Sequence, residues 1–136
     1  MKVNYIDHIG IAVKSLDESI PYYERLLGSK CYAIEHVEDQ FVKTAFFLVG
    51  QTKIELLEST NPDGPLGSFI EMKGEGIHHM AFLVNDIYVE IERMKNDGFE
   101  PLQDKPKLGA ANKLVFFFHP KSTGGSLIEL CQKQDW

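Results

Sequence analysis

Asp7-His8-Ile9-Gly10-Ile11-Ala12-Val13 and His78-His79-Met80-Ala81-Phe82-Leu83-Val84 are two versions of one apolar segment, His8 matching His79 at an offset of 71 residues. The offset persists downstream, where Leu16 matches Ile87 and Ile20 matches Ile91. Further on, Lys43-Thr44-Ala45-Phe46-Phe47-Leu48 resembles Lys113-Leu114-Val115-Phe116-Phe117-Phe118 at an offset of 70. Lys53-Ile54-Glu55-Leu56 then matches Leu127-Ile128-Glu129-Leu130 at 74, the extra residues falling in the turn 119–125. A repeat of this kind decides the architecture before any single element is assigned. Each half carries one histidine early and one glutamate late.

Within each half the pattern reads strand, helix, then two or three strands. Ile6–Val13 is rich in β-branched residues, as a buried strand requires. Ser15-Leu16-Asp17-Glu18 has capping-box spacing and Gly28 supplies a stop, predicting a helix with Ile20, Tyr23 and Leu27 inward. Pro21 fits that helix only if it starts near Asp17. In the second half Asn85 or Asp86 caps a helix bearing Ile87, Ile91 and Met94, ended by Gly98. Asn61-Pro62-Asp63-Gly64-Pro65 is a loop signal, with a short helix expected over Ser68–Lys73. The expectation is one α+β domain over 1–136, built from two tandem βαβββ modules (about 4–60 and 76–133, linker 61–75) forming a curved mixed sheet around a metal site.

Composition narrows the function classes. Hydrophobic residues make up 43% of the 136, enough for a globular core. A net charge of −6 argues against a general nucleic-acid or anionic-membrane binder. Runs such as Phe46–Val49 and Leu114–Phe118 are far too short to span a bilayer. The N-terminus shows no basic segment followed by an apolar stretch, and Cys31 and Cys131 have no CxxC spacing. A cytoplasmic protein with reduced core thiols is expected.

The four repeated polar residues carry the chemistry. Side chains alternate along a strand, so His8, Gly10 and Ala12 share one face, and His79 and Ala81 share its counterpart. The small neighbours leave room for a ligand. Glu55 and Glu129 each sit between aliphatic residues, where an unpaired carboxylate would be costly to bury. One cation satisfies both. Two imidazoles and two carboxylates at His8, Glu55, His79 and Glu129 suit a divalent ion such as cobalt, zinc, nickel or manganese. Of the other histidines, His36 lies in a polar stretch and should be exposed; His78 is one position off register and should face away in a structural role.

The module repeat and the His-Glu-His-Glu order resemble the vicinal-oxygen-chelate superfamily. Within it the chain resembles the methylmalonyl-CoA epimerases over nearly its full length. Gly74-Glu75-Gly76-Ile77-His78-His79, Lys107-Leu108-Gly109-Ala110 and His119-Pro120-Lys121-Ser122 carry that narrower likeness. The resemblance implies metal ligands at His8, Glu55, His79 and Glu129, an acyl-CoA substrate and a homodimer. It implies epimerisation by abstraction of the proton α to the thioester through a metal-stabilised enolate, with proton-transfer groups on both faces. Those roles are assigned to Glu129 and Glu55, each loosening from the ion as substrate chelates. Some epimerases place a catalytic glutamate in the preceding strand; Val42-Lys43-Thr44 offers no carboxylate there, so the family's two-base scheme does not transfer directly. Lys107, Lys113 and Lys121 are candidate contacts for CoA phosphates or ordinary surface lysines, Lys121 being favoured by its place in the family-like turn. The competing readings are glyoxalase I, acting on a glutathione hemithioacetal, and a metal-free small-ligand-binding protein of the same fold. An extradiol dioxygenase would want iron with two histidines and one carboxylate, against which Glu55 argues.

Overall fold

The computed structural model describes residues 3–134. Its elements repeat. The first half is β1 (Val3–Ala12), α1 (Leu16–Leu27), β2 (Ala33–Val37), β3 (Val42–Val49) and β4 (Thr52–Ser59). After α2 (Pro65–Lys73) come β5 (Gly76–Val84), α3 (Ile87–Asn96), β6 (Lys107–Leu108), β7 (Lys113–Phe118) and β8 (Ile128–Lys133). Each half is therefore βαβββ, the α+β pattern expected from the repeat. By packing the chain divides differently, into a unit holding residues up to His8 with those from His79 onward, and a unit of Ile9–His78.

In the Ile9–His78 unit the strand order is β2-β3-β4-β1, with β2, β3 and β4 paired antiparallel. Ser15 caps α1, its hydroxyl accepting the Glu18 amide at 3.4 Å, and Gly28 ends it in a left-handed conformation (φ 67°). The Leu16 amide donates to Glu58 Oε1 at 2.8 Å, tying the helix start to β4. Starting at Leu16, the helix contains Pro21 rather than beginning close before it. The proline leaves the Asp17 carbonyl without its helical donor, and both residues face solvent, where water can substitute. Ile20, Tyr23 and Leu27 pack on Val13, Ala45, Phe47 and Leu56. α2 begins at Pro65, three residues before the expected Ser68, because proline at a first helical position is preset for the turn and lacks only an amide that would go unpaired.

In the other unit the order is β1-β5-β8-β7-β6. β5 and β8 run parallel, Ala81 beside Glu129, while β7 and β8 are antiparallel. Asp86 caps α3 by accepting the Tyr88 and Val89 amides, and the Gln132 side chain accepts the Ile87 amide at 2.7 Å. Ile87, Ile91 and Met94 fill a core with Val84, Phe116, Phe118 and Leu130. β6 covers only the start of β7. At Val115 and beyond, the Gln103 side chain joins in, its Oε1 accepting the Phe117 amide at 3.0 Å and its Nε2 donating to the Val115 carbonyl at 3.4 Å. The Leu102 amide donates to the Phe117 carbonyl, and Pro101 bridges to Phe118. Among the described residues no helix is long and apolar enough to cross a membrane.

Candidate metal centre

Three of the four repeated polar residues meet in the His79-containing unit. His8 ends the portion of β1 assigned there, His79 lies on β5 and Glu129 on β8. His79 and Ala81 share a face, and Ala81 pairs with Glu129, which places the carboxylate one step along from the imidazole. Ala81 is fully buried and presents only a methyl group, so the polar groups can lean together over it. His8 Nε2 and His79 Nε2 lie 3.0 Å apart. Glu129 Oε1 is 3.3 Å from the first and 3.0 Å from the second. All three side chains are buried, and the His79 ring stands edge-on to Phe117.

Asp7 sets the chemical state of this cluster. A regular strand would point Asp7 and His8 to opposite faces, but both are buried, and His8 Nδ1 is 2.8 Å from Asp7 Oδ2. The in–out alternation of β1 slips at this pair. Burial would raise the Asp7 carboxyl, but hydrogen bonds from His8 and Lys113 and the nearby ammonium charge outweigh it and hold it well below the usual carboxylate range. An ionised carboxylate only accepts, so His8 Nδ1 carries a proton and Nε2 is the nitrogen turned to the cluster. His8 Nε2 faces the Glu129 oxygen. Burial would likewise raise Glu129, yet the neighbouring imidazoles of His8 and His79 prevail and bring it down to about 2. Heteroatoms this close must share a proton or a cation between them.

A divalent ion fits that need. The three converging atoms are two imidazole nitrogens and a carboxylate oxygen, a donor set for a borderline ion. Bonds of about 2.0–2.2 Å in tetrahedral geometry put neighbouring donors roughly 3.4 Å apart, close to the separations found here.

A model of the "Glyoxalase/Bleomycin resistance protein/Dioxygenase superfamily" matches residues 7–117, most of the chain. The protein belongs to that superfamily. It is 39% identical to the uncharacterized protein YqjC of Bacillus subtilis, covering 96% of this chain and 93% of that one. It is 36% identical to an ethylmalonyl-CoA/methylmalonyl-CoA epimerase of Cereibacter sphaeroides, covering 96% and 98%. The solved structure of a Streptomyces coelicolor methylmalonyl-CoA epimerase variant in complex with 2-nitronate-propionyl-CoA superposes with a TM-score of 0.93 at 32% identity, covering 98% and 99%. Relatives named as epimerases, and the fold they share, accord with the resemblance carried by the sequence motifs.

The remaining candidates of this superfamily member are distributed as follows. Glu55 is buried in the Ile9–His78 unit, midway along β4 opposite Phe46, on the face it shares with Leu57. Lys121 is exposed in the turn after β7, its amide donating to His119 Nδ1 at 3.1 Å. His78 is off the ligand register as expected and stacks edge-on against Phe69 at 4.8 Å; His36 is exposed. Cys131 is fully buried and Cys31 half-buried, both free thiols. Lys113 departs from expectation. It is no surface lysine but is 6% exposed, with Nζ 2.8 Å from both Asp7 oxygens. Asp7 has no counterpart acid in the repeat, His78 standing at its place. The only sequence signal for the pair was a charged residue inside each of two apolar strands.

Proposed function

We propose that the protein interconverts the R and S forms of methylmalonyl-CoA by removing and returning the proton on the carbon between the carboxylate and the thioester. The observation that carries this reading is the buried convergence of His8, His79 and Glu129, in a chain matched almost end to end by an epimerase of that substrate class. A divalent ion (cobalt, zinc, nickel or manganese) held by these residues would supply positive charge opposite the negative charge that develops on the thioester oxygen as the proton leaves. Glu129 is the proposed proton carrier on one face. Its carboxylate is ionised at neutral pH and therefore available as a base.

Glu55 is proposed as fourth ligand and as proton carrier for the opposite face, on its equivalence to Glu129 in the repeat. Lys121, exposed and in the family-like turn, is the proposed contact for a CoA phosphate. A homodimer in the cytoplasm completes the proposal on the strength of the resemblance.

The test is proton exchange. Metal-loaded protein is incubated with (2R)-methylmalonyl-CoA in deuterated water and the α-proton signal is followed by NMR, beside a sample holding the methylglyoxal–glutathione hemithioacetal. Metal-dependent exchange on the CoA ester alone is the expected result. Turnover of the hemithioacetal without exchange on the ester would move the enzyme to glyoxalase chemistry.

A further inference from the structure

Lys113 and Asp7 form a buried ion pair that the proton chemistry does not use. The two residues are 106 positions apart, and the ammonium lies 2.8 Å from each carboxylate oxygen. They stand among apolar neighbours: Tyr5, Ala81, Leu83, Val115, Phe117 and Cys131 form one cluster on this side of the unit. A buried pair in such surroundings is a poor source of stability, because apolar residues of similar volume commonly do as well or better. The chain also accepts left-handed backbone at Ala111 (φ 56°) and Asn112 (φ 54°) immediately before Lys113. For alanine that conformation carries a cost, of the kind tolerated where placement matters. What distinguishes this pair is its third member. The carboxylate oxygen on Lys113 also faces Nδ1 of His8, whose Nε2 points into the metal cluster.

We propose that Lys113 and Asp7 are positioning residues for the metal. The ammonium fixes the Asp7 carboxylate, and the carboxylate fixes the ring and tautomer of His8 so that Nε2 is presented as a ligand. A carboxylate behind a ligating histidine is a general device for this, and the outer partner typically changes metal affinity 10–100-fold when lost. Here the device has a second tier. Without Lys113 the Asp7 anion would be buried with one anchor fewer, free to turn from the ring. A second metal site at Asp7, His8 and Cys131, whose donor atoms also lie close together, is the rival reading. It is disfavoured because Lys113 Nζ already holds both Asp7 oxygens.

The inference rests on the metal reading of His8 and not on the substrate. Two measurements test it. In metal-free wild-type protein, long-range proton–nitrogen NMR should show His8 with the proton on Nδ1; a proton on Nε2 instead overturns the proposal with no variant needed. In the second, Co²⁺ affinity and its visible absorption are compared for wild type, Lys113→Met, and Asp7→Leu combined with Lys113→Met, alongside the unfolding midpoint of each metal-free protein. The double variant removes both charges, so it keeps the test alive if the single variant does not fold. Affinity should drop about 10–100-fold with an altered Co²⁺ spectrum. Folded variants with wild-type affinity and spectrum would refute the positioning role and leave the metal site standing. A wild type that takes up no Co²⁺ would refute the metal reading itself, and this inference with it.

Discussion

In the proposed function Glu129 both binds a cation and moves a proton, and the two demands oppose each other. The imidazoles that keep it ionised also weaken it as a base. Replacing it with glutamine keeps the shape and removes the proton carrier, so Glu129→Gln should lower the exchange rate by at least about 10²–10⁴. Near-normal exchange by that variant would remove Glu129 from the proton-transfer role. Asp7 makes a different kind of prediction. Its folded-state carboxyl lies below its unfolded value, so its stabilising contribution is complete above the ordinary carboxylate range and is lost as pH falls toward the folded value. Metal-free wild type should therefore lose more stability between about pH 5 and pH 2 than the Asp7→Leu, Lys113→Met protein, measured by denaturant titration at each pH. Equal losses would mean that Asp7 is not the responsible carboxylate. At this scale the candidate ligands, of which the structure brings His8, His79 and Glu129 together, were legible because a repeat marks position, His8 pointing to His79 and Glu55 to Glu129. Asp7 and Lys113 were not, since strict alternation puts Asp7 on the wrong face and nothing in one strand names a partner 106 residues away.

Helices and strands here are placed by local chemistry that a single chain displays openly. Ser15 and Gly28 bracket α1, and Asp86 opens α3, where the sequence rules put them. The exceptions have physical causes. Pro21 is tolerated inside α1 because its side of the helix faces water, a fact about the surroundings and not about the helix. α2 depends on an approach that no pattern reveals: a Cβ built on Gly67 would lie 2.5 Å from the Pro62 carbonyl oxygen. Backbone atoms cannot yield as a flexible side chain would. Gly67→Ala should accordingly destabilise the protein by about 1–3 kcal/mol despite the better helix propensity of alanine, read as a lower denaturation midpoint. A neutral or stabilising effect would show that the loop before α2 shifts freely.

Across the whole molecule, the three converging candidate ligands come from β1, β5 and β8, and His8 and Glu129 are brought together only when the chain folds. An ion that binds them therefore binds the native state and not the unfolded chain. At a hundredfold excess over its dissociation constant it should add about 2.7 kcal/mol, raising the melting temperature on the order of 10 °C. Calorimetry of chelator-treated protein with and without added Co²⁺ measures this, and an unchanged melting curve would count against the site. The repeat made the βαβββ order legible at this scale. It did not reveal the packing units, which cut β1 after His8 and β5 before His79, because grouping follows strand pairing and contact rather than sequence likeness.

The Gln103 amide has a consequence for life at high protein concentration. β6 is two residues long and pairs only with Leu114 and Val115, so the later part of β7 is closed instead by the chain at Pro101–Gln103. A bare row of amides and carbonyls is a template on which another chain can add a strand and begin an aggregate. By offering an oxygen to Phe117 and a nitrogen to Val115, Gln103 occupies those groups as a neighbouring backbone would. A side chain, unlike a strand, ends there and presents no further edge to copy.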